Sequence, residues 1–140
     1  MFHVLFVFTH NRCRSILCEA ITRTMGTGVL KVSSAGSHPA GAIYPETLNQ
    51  LGQHGYSVEG LQSAGWEQAE ENQPNLVVTV CDSAAGEACP LWLGDAKKMH
   101  WPLTDPSKLS DPQEAAVAFK EVIATIEAQV PVWLAMAEEF

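Results

Sequence analysis

Hydrophobic positions along this chain follow two periods in turn. Phe2-His3-Val4-Leu5-Phe6-Val7-Phe8 is an almost unbroken apolar run rich in aromatic and β-branched residues, which predicts a buried strand. From Ser15 to Met25 the period lengthens: Ile16, Leu17, Ala20 and Ile21 share one face, as in a helix lying on a sheet, and Gly26 and Gly28 close it. Val29 to Ala35 reads as a second strand. Pro45 stands at the start of a second helix, with Leu48 and Leu51 on one face and Gly52 and Gly55 at its end. A short helix is expected over Glu67 to Asn72. Leu76-Val77-Val78-Thr79-Val80, bounded by Pro74 and Cys81, has the composition of a strand covered on both faces, and so of a central one. Asp111-Pro112-Gln113-Glu114 then supplies an N-cap, a proline at the first helical position and a capping-box glutamate. Phe119, Val122, Ile123, Ile126, Val130 and Trp133 repeat behind it at helical spacing. Pro131 should kink this last helix or end its regular part, because it removes a backbone donor and crowds the preceding turn.

Strands and helices in alternation imply an α/β fold with right-handed crossovers and a parallel sheet carrying helices on both faces. The chain shows no repeat, low-complexity tract or linker, so residues 1–140 read as a single domain. In such folds ligands sit beyond the carboxyl ends of the strands. The loops after Phe8, after Val80 and around Asp105 are placed to meet there.

Charge narrows the list of partners. With 16 acidic against 8 basic residues the formal charge is −8, which argues against nucleic acid and anionic membrane surfaces. The first apolar run is too short for a membrane span and lacks the flanks of a signal peptide, so a cytoplasmic protein is expected. Four cysteines are too few for a secreted disulfide scaffold. The spacings of Cys13 to Cys18 and of Cys81 to Cys89 match no structural zinc site, and neither a metal nor a cofactor is expected. Trp66, Trp92 and Trp133 are candidates for an exposed aromatic contact.

The chemistry concentrates in Thr9-His10-Asn11-Arg12-Cys13-Arg14-Ser15, which joins the first strand to the first helix. A loop of this kind holds oxyanions: its N–H groups form a nest, the helix adds its positive end, and Arg14 can fork two N–H bonds onto two oxygens of phosphate or arsenate. Arg12 adds local positive charge. His10 either touches the anion or is plain surface, and Asn11 reads as an organiser of the loop through its side-chain amide. Asp105 by itself reads as the cap of a turn before Pro106 or as an acid facing the site.

Val4 to Ser15 followed by Glu19-Ala20, Ser34-Ala35-Gly36, Thr79-Val80-Cys81, Cys89-Pro90 and His100-Trp101-Pro102-Leu103-Thr104-Asp105-Pro106 together resemble the thioredoxin-coupled arsenate reductases of the low-molecular-weight protein tyrosine phosphatase superfamily. The resemblance spans nearly the whole chain in consistent order. It implies a four-stranded parallel sheet and a three-sulfur relay. A cysteine at the position of Phe8, its thiolate held by the loop and by a hydroxyl matching Ser15, attacks the oxyanion. An acid matching Asp105 protonates the leaving oxygen. A thiol matching Cys81 attacks the first sulfur and releases arsenite, and one matching Cys89 takes over the disulfide and passes it to a thioredoxin-type reductant.

Here the first sulfur is absent, because Phe8 has neither a lone pair nor an ionisable proton. Its ring, if it fills the loop, should also obstruct an anion; if it turns into the core, an anion can still bind. Cys13, beside Arg14 in positive potential, is the candidate replacement nucleophile, or else an inert or redox-buffering thiol. Cys18 reads as structural. Two functional classes follow: an arsenate reductase impaired by Phe8, or a non-catalytic descendant that binds an oxyanion or partner and uses Cys81 and Cys89 as a redox switch. A tyrosine phosphatase is the weaker third, since the same loss disables it.

Overall fold

The computed structural model of the chain describes residues 1–8, 10–36, 38–65, 73–81 and 96–139, with Val80 and Cys81 described by their backbone. The elements run β1 (Phe2–Phe8), α1 (Arg14–Met25), β2 (Leu30–Gly36), α2 (Pro45–Gln53), β3 (Leu76–Cys81), β4 (Lys97–Pro102) and α3 (Pro112–Glu138), with a 3-10 turn at Pro106–Lys108. The expected helix over Glu67 to Asn72 lies outside the described residues. So do Trp66 and Trp92.

All four strands pair in parallel in the order β2-β1-β3-β4. Every residue of β1 is buried, and β3 lies between β1 and β4, as its apolar run requires. Alternate residues of β1 serve two faces. Phe2, Val4 and Phe6 join Leu76 and Val78 in the main core, beneath Ile16, Leu17 and Ile21 of α1, Leu51 of α2 and the apolar stripe of α3. Leu5 and Val7 point the other way and join Ala35 and Val77 in a smaller cluster, so both faces of the central strands are buried. Gly26 ends α1 for a steric reason: a Cβ there would lie 2.8 Å from Leu30 Cδ1 and 2.9 Å from the Thr22 carbonyl oxygen. This close approach lets β2 begin immediately beneath the helix end.

α3 starts as its capping signals require. The Asp111 carboxylate accepts from the Gln113 N–H at 3.0 Å, and Pro112 occupies the first turn. Pro131 does not end the helix, which continues to Glu138. The residues on either side of the exposed proline explain this, since Val130 and Trp133 are fully buried and pin the helix to the sheet. Trp133 meets Phe6 and Trp101 edge-on, with ring centroids 6.1 and 5.8 Å away. It is therefore core rather than the exposed aromatic that its sequence suggested. Among the described residues no helix is long and apolar enough to cross a membrane.

Candidate functional site

Phe8 is the last residue of β1 and Arg14 the first of α1, so the loop between them sits at the carboxyl edge of the sheet. The sheet register brings the end of β3, Cys81, to the same edge, opposite Pro102 of β4. Leu103 and Asp105 follow directly. Three segments distant in sequence thus meet where the fold class places ligands.

Asn11 holds the loop in shape. Its backbone is left-handed, with φ of 48°, a conformation that asparagine tolerates better than most residues. The buried side chain donates through Nδ2 to Ser15 Oγ at 2.8 Å and Ser34 Oγ at 3.0 Å, and its Oδ1 accepts from the Ala64 N–H at 2.8 Å. Ser34 Oγ donates onward to Glu19 Oε1 at 2.5 Å. Burial raises the Glu19 carboxyl above its ordinary range, opposed by that hydrogen bond and by Arg23. Outside this network the His10 carbonyl accepts from the Ala40 N–H, and the Arg12 carbonyl accepts from the Tyr44 N–H at 3.0 Å. The loop is therefore braced from β2, α1 and the segment leading into α2.

Arg14 is fully buried, and its guanidinium is already engaged. Its carbon lies 3.8 Å from the centroid of the Phe8 ring, Nη1 donates to the Leu103 carbonyl at 2.9 Å, and Nη2 lies 3.7 Å from Asp105 Oδ2. The Phe8 ring also meets His10 edge-on, with centroids 6.2 Å apart. Among the described residues Phe8 belongs to neither apolar cluster, although it is buried. Of the two orientations open to it, the ring takes the one that fills the loop. An anion forking onto Arg14 would have to displace a desolvated cation–π contact of about 2 kcal/mol and re-expose a phenyl ring at roughly 1.5–3 kcal/mol. About 4 kcal/mol corresponds to close to a thousandfold in affinity.

The two oxygens of Asp105 have different partners. Oδ1 accepts from the Ser107 N–H at 2.9 Å and the Ser107 hydroxyl at 2.6 Å, capping the 3-10 turn, while Oδ2 faces Arg14. Ser107 was not singled out by sequence, although a polar residue two positions after an aspartate at a proline turn is a recognisable side-chain cap. Tyr44 and the Leu103 carbonyl gave no sequence signal, because their roles depend on tertiary placement.

At Cys13 opposing influences meet. Positive potential from Arg12 and Arg14 does lower its thiol, but burial dominates and pushes it up to about 12; the Thr47 hydroxyl lowers it and Asp105 raises it. At neutral pH it is a protonated thiol with almost no solvent access. Cys18 is fully buried in the main core, and burial raises its thiol as well. Thr9, Cys89 and the Cys81 side chain lie outside the described residues.

The family model for low molecular weight phosphotyrosine protein phosphatases matches residues 3–139. The arsenate reductase of Bacillus subtilis is 29% identical over 116 residues, covering 83% of this chain and 82% of that protein. The glutaredoxin arsenate reductase of a Synechocystis species is 26% identical over 127 residues, covering 91% of this chain and 88% of the relative. Among solved structures, an arsenate reductase in a phosphate-binding state shares the fold with a TM-score of 0.79 at 22% identity, covering 98% of this chain and 99% of that one.

Proposed function

The chain belongs to the low molecular weight phosphotyrosine protein phosphatase family, and from that membership we propose that it is an arsenate reductase-like protein whose oxyanion loop is disabled at its nucleophile position. The observation that carries this reading is the Phe8 ring packed 3.8 Å beneath the Arg14 guanidinium. One substitution thus removes the attacking sulfur and occupies the space an oxyanion needs. Loss of a nucleophile costs roughly 10⁴- to 10⁶-fold in rate, leaving only binding and electrostatic effects. The buried, protonated Cys13 does not replace it.

In this reading the remaining parts keep the roles that the resemblance implies. Arg14 would clamp the oxyanion, Asp105 would donate the proton to the leaving oxygen, and Cys81 and Cys89 would carry the disulfide outward to a thioredoxin-type reductant. The proximity of Asp105 to Arg14 supports the first two assignments. Relatives that include a glutaredoxin arsenate reductase support a thiol reductant as the kind of partner. The second reading, a non-catalytic descendant with Cys81 and Cys89 as a redox switch, is favoured by the same filled loop if turnover cannot be recovered.

Phe8→Cys separates the two. In a thioredoxin-coupled assay that follows arsenate-dependent NADPH oxidation, the substituted chain should exceed the parent by about 10⁴-fold or more. Phe8→Ala, which empties the loop without supplying sulfur, should remain at the parent level. A properly folded Phe8→Cys chain that stays inactive would reject the disabled-reductase reading in favour of the descendant.

A further inference from the structure

Arg14 is engaged on several sides, but the loop carries a second guanidinium in a different situation. Arg12 is partly exposed, and its guanidinium carbon lies 4.7 Å from the centroid of the Tyr44 ring. Its Nη1 donates to Ser107 Oγ at 3.3 Å. Both supports are themselves fastened: the Tyr44 N–H donates to the Arg12 carbonyl at 3.0 Å, and the Ser107 hydroxyl donates to Asp105 Oδ1 at 2.6 Å. A ring face uses no N–H, and one hydroxyl uses one. Of the five N–H donors on a guanidinium, most therefore remain for a ligand. Among the described residues Arg12 has no carboxylate partner.

We propose that the anion seat of this chain has moved outward from Arg14 to Arg12, which, braced by Tyr44 and Ser107, binds a tetrahedral oxyanion at the rim of the loop. The ligand class is phosphate or arsenate, or the phosphoryl group of a larger molecule. The proposal rests on the reading that Phe8 fills the loop floor. Local charge favours it despite the overall −8: among the described residues two guanidinium groups face one carboxylate, and Asp105 stands one hydroxyl away from Arg12 with its other oxygen turned to Arg14. Stacking matters as well. A free arginine must be immobilised when it binds, whereas one held between a ring and a hydroxyl has already lost much of that freedom.

The test is a titration of the isotopically labelled parent chain with inorganic phosphate at pH 7, followed by amide chemical shifts. Saturable shifts should centre on Arg12, Tyr44 and Ser107. Arg12→Gln should weaken binding by about tenfold or more, the loss expected for charge-assisted hydrogen bonds. Tyr44→Leu should weaken it severalfold with the charge untouched, and Tyr44→Phe should restore it, because the ring and not the hydroxyl braces the guanidinium. Thermal unfolding of each variant checks that the fold persists. Phenyl phosphate binding more tightly than inorganic phosphate would support a phosphorylated ligand at the rim, and the reverse order a free ion there. Absence of saturable shifts overturns the rim seat and leaves the filled floor standing. Unchanged affinity in Arg12→Gln, with shifts gathered on Asn11, Cys13 and Arg14, overturns both.

Discussion

At the scale of single residues, the site is decided by what each side chain touches. Arg14 and Asp105 were legible in the sequence as chemistry-bearing residues, and the fold brings them within 3.7 Å. The direction of the Phe8 ring was not legible, because a buried aromatic at a strand end satisfies sequence pattern equally well facing core or loop. The ionisation of Cys13 was not legible for a related reason. Its neighbours in sequence are cationic, but desolvation by the surrounding fold outweighs them. This has a consequence that can be measured. The thiol ionises near 9.0 when unperturbed and at about 12 in the fold, so between those values the unfolded chain releases a proton that the folded chain retains. The associated stability is complete below pH 9 and is lost as pH rises towards 12. Urea midpoints followed from pH 8 to 10.5 should therefore fall more steeply for the parent than for Cys13→Ser, whose hydroxyl does not titrate there. Parallel curves would mean that the thiol is not desolvated.

Among elements, the loop depends on Asn11 more than on any other side chain described in it. Three hydrogen bonds and a left-handed backbone converge on that residue. Asn11→Ala should cost about 2–3 kcal/mol, from unsatisfied partners and from a backbone conformation that alanine resists. Equilibrium urea unfolding reads this directly; a loss under 0.5 kcal/mol, on the order of an ordinary surface substitution, would contradict the assigned role. α3 was legible because Asp111 and Pro112 mark its start and its apolar residues recur at helical spacing. Its passage through Pro131 was not, since the buried Val130 and Trp133 outweigh one missing hydrogen bond. β4 was hidden for the opposite reason. Lys97-Lys98-Met99-His100-Trp101-Pro102 is a partly exposed edge strand, and its lysines and terminal proline resemble a loop while also discouraging further pairing.

For the whole molecule, the proposed reading separates family membership from activity. The parallel sheet, the braced loop and the match over residues 3–139 all follow from a shared fold, which survives a change at one strand-end position. In the proposed reading catalysis does not survive it so easily, because the relay that the resemblance implies requires a sulfur at that position and an open space beneath the arginine. The acidic surface makes no compensating contribution, since at −8 overall the attraction for an anion has to be local, as at Arg12 and Arg14. The most direct measurement is speciation of arsenic after incubating the parent chain with arsenate and excess small-molecule dithiol, which needs no assumption about the protein reductant. Arsenite should form no faster than with dithiol alone. Arsenite production that rises in proportion to the concentration of the unsubstituted chain would contradict the account.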